Sequence, residues 1–211
     1  MFLKFHKRKN TAVCLLILLI LLQISVAFAY SVTMRTGLRT VAVDGSAFAQ
    51  AIYNFINGNG LVTTTQQAPY IEQSWLGVHF SPILYAIAPI YYLFPYVETL
   101  LFIHSFFIAL AAVPIFLIAR KLLETDGQAL IIAVFYLFTP FIINAQILDF
   151  HEIAFAPLTI SLMLWAVINK SKYWLVFFCA ILLTIKEHYG LAVFGTGLLW
   201  AWHWREPKFG L

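Results

Sequence analysis

The chain has 211 residues, 62% of them hydrophobic and 10% charged, with a formal net charge of +4 and a mean hydropathy of +0.87. A soluble domain carries about 25% charged residues, so the composition excludes an ordinary soluble fold and predicts a polytopic membrane protein. The positive balance reads as loop bias at one membrane face. No basic stripe with interleaved aromatics is present, which argues against nucleic acid as a partner.

Lys4, Lys7, Arg8 and Lys9 precede an uncharged run at 11–29. Two readings compete there. One is a signal peptide with Ala27-Phe28-Ala29 as its small-x-small cleavage site; the other is an uncleaved first span. Signal cores are about 7–15 residues long, and this run is longer, which favours the span. Cys14 and Cys179 both fall in apolar runs and read as small hydrophobes.

Residues 31–96 form a long first loop. Within it Phe48, Ile52, Phe55 and Ile56 recur at helical spacing, opposite Gln50, Asn54 and Asn57. Asp44 or Ser46 is placed to cap the start of that helix, and Gly58-Asn59-Gly60 to end it. With so few charges it is expected to lie on the membrane. A polar loop follows at 63–73. His79-Phe80-Ser81-Pro82 then opens a second amphipathic or re-entrant stretch, 79–95, with Ser81 as N-cap, Pro82 as first helical residue and Pro89 in its middle.

Whether 79–95 crosses the bilayer is decided by positive-inside bias. If it does not cross, the spans are 11–29, 97–119, 129–147, 153–168, 173–185 and 189–204. The cytoplasmic side then holds Lys4, Lys7, Arg8, Lys9, Arg120, Lys121, Lys170, Lys172, Arg205 and Lys208, and only Arg35, Arg39 and Lys186 lie outside. If it does cross, most of the basic residues move outside. The expected fold is therefore all-α: a membrane helix bundle of about six spans with both termini cytoplasmic. The stretch 173–185 is short for a crossing and must borrow flanking residues, with Lys172 and Lys186 snorkelling.

This topology gathers chemistry on one face. Asp44, Glu72, His79, Glu98, Asp149, His151, Glu152, Lys186, Glu187 and His188 all fall on the outer side, from three separate loops. Asp149-Phe150-His151-Glu152 is the densest group, a charged tetrapeptide between two apolar runs, where charge is costly. Convergence from several loops is what a site needs. Simpler roles stand beside this one. Asp44 reads as an N-cap, Asp149 with Glu152 as a capping-box-like turn, and Lys186-Glu187 as a local ion pair. His104, deep in an apolar run, reads as a packed or hydrogen-bonded intramembrane histidine. Pro114 and Pro140 read as tolerated kinks.

Asp44 with Gln50, His79-Phe80-Ser81-Pro82, Ala119-Arg120-Lys121-Leu122, Asp149-Phe150-His151-Glu152 and Lys186-Glu187 occur in this order. Across about residues 40–204 the pattern resembles the prokaryotic membrane-protein family called domain of unknown function 2079. Its layout is also similar to the C-type glycosyltransferase superfamily, which includes the protein mannosyltransferases and the lipid A aminoarabinose transferase. That resemblance implies an integral protein of the prokaryotic plasma membrane that uses a polyprenyl-phosphate sugar donor at its extracytoplasmic face. Carried over by position, Asp44 would act as general base on the acceptor hydroxyl. Asp149 would be the acidic residue of the second outer turn, and Lys186 would lie near the lipid phosphate. His79, His151, Glu152 and Glu187 would bind substrate without an imported role. His188 stands where the family has another acidic residue.

The chemistry is consistent with this. Glycosyl transfer with inversion needs a carboxylate for the acceptor proton and positive charge on the departing phosphate. Asp149, His151 and Glu152, with His79 or His188, offer the mixed nitrogen and oxygen donors that a divalent metal takes. C-type transferases carry more spans, so either this single membrane domain, 1–211, is the N-terminal part of a longer protein or the smaller unit does something else. The competing reading is a non-catalytic membrane protein, a transporter subunit or lipid-binding scaffold. Transporters place ionisable groups near the bilayer midplane, whereas here they sit at helix ends.

Overall fold

A computed structural model describes residues 3–37, 39, 43–64 and 73–205. Among them the chain is helical apart from a two-residue strand pair, β1 (Val62–Thr63) and β2 (Gln73–Ser74). The first helix, α1 (Leu3–Thr36), is longer than the sequence suggested. Nothing after Ala29 breaks it, and the Thr33 and Thr36 hydroxyls donate back to carbonyls four residues earlier.

The long first loop contains α2 (Val43–Ile56), α3 (Trp75–Val78) and α4 (Ile83–Leu93). The remaining chain forms α5 (Val97–Leu110), α6 (Ala112–Leu122), α7 (Asp126–Phe138), α8 (Pro140–Gln146), α9 (Ala156–Ile168), α10 (Lys172–Ile185) and α11 (Gly190–Trp204). Short 3₁₀ turns at Glu152–Phe155 and Glu187–Tyr189 lead into α9 and α11. Pro114 and Pro140 both fall at or near helix breaks. Pro114 cannot accommodate the carbonyl of Leu110, and the helix is interrupted between α5 and α6. At Pro140 the chain bends by 52° between α7 and α8.

Two helices, Thr11–Thr36 and Val97–Leu122, are long and apolar enough to cross a membrane, and the bent pair Asp126–Phe138 with Pro140–Gln146 makes up to three. The other expected crossings are helical but short: α9, α10 and α11 have 13, 14 and 15 residues, against roughly 20 for a full span. The core is built in two parts. Ala12, Leu16, Ile20 and Ile24 form one stripe of α1 against Ala109, Ala112, Ala119, Ala129 and Ala133 of α5–α7. Small residues allow this close approach, the usual solution where lipid removes the hydrophobic drive between helices. The second cluster joins α2, α4, α5, α9, α10 and α11 and contains the larger side chains.

The helix at 43–56 turns Phe48 and Ile52 onto the bundle, where both are buried. Phe48 packs at a tilt against Trp75 (4.3 Å between centroids) and meets Phe150 edge-on (5.2 Å). Its polar side meets the strand pair: Gln50 accepts from Thr63 and Thr64, and Asn54 donates to the Val62 carbonyl. The helix starts at Val43, so Asp44 and Ser46 lie within its first turn rather than at the cap. Gly58 and Gly60 take positive φ and end it as expected. Pro82, not Ser81, is the N-cap of α4.

Helix ends collect into two layers. At one, Lys121 donates to the Ile168 carbonyl and Asn169, and Trp204 donates to the Val167 carbonyl. At the other, Arg35 pairs with Glu98 and the turns at 149–152 and 186–189 meet the segment at 79–81. Phe150 joins the loop helices to the bundle at that second layer and is fully buried. Phe150→Ala is expected to cost about 3–5 kcal/mol, read as a lowered denaturant midpoint in mixed micelles.

Candidate functional site

The site is organised from the turn between α8 and α9. Phe150 points inward and packs against Phe48 and the ring of His104 (6.2 Å). This leaves its neighbour Asp149 half-buried on the other side of the backbone. His104, on α5, braces the turn at two points. Its Nδ1 accepts the backbone N–H of His151 at 3.2 Å, so that nitrogen carries no proton. Its Nε2–H then donates to the Ala145 carbonyl at 2.8 Å. Gln146 adds a third tie, donating to the Ser105 carbonyl at 2.9 Å. His104 thus behaves as the hydrogen-bonded histidine expected, and its ring brackets the chain on both sides of Asp149.

The first turn of α2 closes on this turn from above. A Cβ placed on Gly45 would lie 3.2 Å from the Asp149 Cβ and 3.3 Å from its Cγ. Glycine is thus what allows α2 to sit this close to Asp149. Asp44 is the adjacent residue in sequence; its side chain lies outside the described residues, as does Glu72.

Glu152 is wholly buried. Its Oε1 receives the Lys186 Nζ at 3.0 Å, and Ser81 Oγ stands 3.5 Å from the same oxygen, the outer limit of a hydrogen bond. Its Oε2 is buried with no hydrogen-bond partner. Lys186 keeps 18% of its side chain exposed. A buried ion pair contributes little net energy, but removing one partner strands the other charge.

The next residue, Glu187, faces the opposite way, with its side chain half exposed. Its carboxylate accepts from the Phe80 backbone N–H at 3.1 Å and lies 3.2 Å from His79 Nδ1. Hydrogen bonds, first from its own backbone N–H and then from His79, hold its carboxyl below the ordinary glutamate range. Two acids from two different turns therefore grip one segment: Glu152 at Ser81 and Glu187 at His79 and Phe80.

Several simpler expectations are corrected by this geometry. Lys186 and Glu187 do not pair with each other; each binds a different element. Asp149 and Glu152 do not form a capping box, because His151 is the N-cap of the turn into α9 and no side chain caps it. Instead His151 lies with Nδ1 3.0 Å from the Asp149 carbonyl oxygen. His188 packs at a tilt against Tyr189 and is exposed, apart from the cluster. Among the described residues no three His, Cys, Asp or Glu side chains come together as metal ligands. With Glu152 turned to Lys186, the anticipated donor set does not converge.

Two roles were not anticipated, Ser81 as a buried hydroxyl beside Glu152 and Gly45 as a close-approach residue, and His104 was expected to be hydrogen-bonded but not to brace this turn. A histidine inside an apolar run carried the only advance signal. Beside the turn lies a cavity of about 290 Å³, walled mostly by apolar residues of α9 and of the segment 145–154, with His104, His151 and Tyr189 on its lining.

The fold and site are those of a helical membrane protein whose polar groups meet at one end of an apolar bundle. The chain belongs to the family described as predicted membrane protein DUF2079, whose profile matches residues 34–210. No curated protein and no solved structure matches it.

Lys186→Met is expected to destabilise the fold by about 3–5 kcal/mol, because it leaves Glu152 charged and buried. Combining it with Glu152→Leu should recover most of that loss in a double-mutant cycle by chemical unfolding; equal losses in single and double variants would rule out the pair as the cause. The grip of Glu187 should respond to acid. Its folded pKa is depressed, so its contribution is present above its unfolded value near about 4.3 and is lost as pH falls through the folded one. A cysteine introduced at Phe80 should therefore become more reactive to a pH-insensitive probe after transfer to acid, and Glu187→Gln should remove that response.

Proposed function

We propose that this chain is a glycosyltransferase-like membrane protein that moves a sugar from a polyprenyl-phosphate donor to an acceptor on the extracytoplasmic face. In this reading α9, α10 and α11 also cross the bilayer, giving six spans, with the amino terminus in the cytoplasm and the site layer outside. The observation that carries it is the meeting of Asp149, Glu152, Lys186, Glu187 and His79 at one end of the bundle, with the helix bearing Asp44 packed on the same turn through Gly45. Short crossings are accommodated by tilt and by local thinning of the bilayer.

The proposed reaction balances as a single displacement. The acceptor oxygen attacks the anomeric carbon while its proton passes to a carboxylate, for which Asp44 or Asp149 is the candidate. The bond from that carbon to the donor phosphate oxygen breaks, and the phosphate leaves with the electron pair. Lys186 spends one of its three ammonium donors on Glu152, and the others remain to meet a phosphate. Glu152 in this scheme holds Lys186 in place and takes no part in proton transfer, since its carboxylate is buried away from water.

A second reading, a non-catalytic lipid-binding scaffold or transporter subunit, is favoured by one feature. Glu152 pairs with Lys186 and Glu187 with His79 inside the chain, as in a structural pin. Asp149→Asn and Asp44→Asn separate the two readings. Each is expected to lower consumption of a labelled polyprenyl-phosphate sugar by membranes by about 100-fold or more, with the amount of protein in the membrane unchanged. Consumption unaffected by either change would leave only the non-catalytic reading.

A further inference from the structure

Helix α4 does not close fully onto the bundle. An apolar groove of about 570 Å³ lies between α1, α4 and α5, and a second of about 250 Å³ lies between α4, α5, α9 and α10. Ile90, Ile103 and Phe107 line both, so the two run together beneath α4. Their walls offer nothing to water. The hydroxyls of Thr99 and Thr159 are spent on the Phe94 and Phe155 carbonyls, and the charged residue on the lining is Glu98 at one end. Water needs two to four polar partners to occupy such a space, so an apolar occupant suits these grooves better than water does.

We propose that this slot is a binding site for one acyl chain of a glycerophospholipid, whose zwitterionic headgroup lies on the Arg35–Glu98 ion pair. Length and charge select the occupant. The larger groove follows α5 from Glu98 to Phe107, nine residues or roughly 14 Å at the helical rise. That is about half of a hydrocarbon core roughly 30 Å thick, the depth of one leaflet. It suits an acyl chain and is too short for a long polyprenyl chain. At its mouth Arg35 gives one N–H to Glu98 Oε1, out of five on a guanidinium. The remaining donors suit the lipid phosphate, and Glu98 Oε2 suits a primary ammonium. The pair is neutral overall, as is the headgroup it would hold. This site does not depend on the glycosyltransferase reading.

The full chain would be reconstituted in vesicles of phosphatidylethanolamine carrying a photoactivatable group midway along one acyl chain. Cross-links would then be mapped by mass spectrometry. Labelling at Ile103 and Phe107 should exceed that at the exposed Ile131 and Phe135 of α7 several-fold. Ile90→Trp, which fills the slot from the half-open face of α4, should abolish the excess while labelling of α7 persists. Exchanging the probe for a phosphatidylglycerol equivalent, or combining Arg35→Gln with Glu98→Gln, should reduce it. Equal labelling of slot and α7 would show ordinary annular lipid and overturn the site. An excess that ignores both headgroup and ion pair would overturn the headgroup assignment.

Discussion

The Glu152–Lys186 pair is the constraint around which the upper layer of this protein is arranged. A carboxylate with no exposed surface can stay charged only if a cation comes to it, and Lys186 does so from another turn. That requirement ties the start of α9 to the end of α10. Glu187, the residue after the lysine, is thereby turned outward to reach His79 and the Phe80 N–H. Ser81, buried beside Glu152, brings in the segment that opens α4. One ion pair thus sets the relation of three chain segments far apart in sequence.

The brace at His104 works differently. It contributes no charge, because Nδ1 is an acceptor and Nε2 a donor. A neutral imidazole is well suited to an apolar run, where an ionised group would be expensive. Its two bonds fix the backbone on both sides of Asp149. Phe150 completes the arrangement by filling the space between His104 and Phe48. Polar precision at this end therefore rests on an aromatic core, while the α1–α5–α7 seam rests on alanines and close helix approach.

Much of this was legible in the chain. Apolar runs, proline positions and Gly58-Asn59-Gly60 marked the helices and breaks, because each depends on local chemistry: the missing N–H of proline, the positive φ open to glycine. The gathering of Asp149, Glu152, Lys186, Glu187 and His79 at one layer followed from alternating helix direction. The pairing inside that layer was not legible. Neighbours in sequence, Lys186 and Glu187, suggested a local ion pair, yet an extended backbone at Lys186 sends adjacent side chains in opposite directions. Asp149 and Glu152 had capping spacing, but Phe150 anchored in the core and Glu152 drawn to Lys186 outweigh a cap.

Sequence by itself determined that this protein is helical and membrane-embedded, because hydropathy and charge scarcity are properties of composition and need no partner. It also determined which helix ends carry ionisable groups. Only the tertiary structure decided what those groups do to one another. Burial makes Glu152 require a cation, the absence of a side chain at Gly45 lets α2 approach Asp149, and His104, 47 residues before His151, becomes the brace of the charged turn. Each is a contact between residues tens of positions apart, and no periodicity or spacing encodes it.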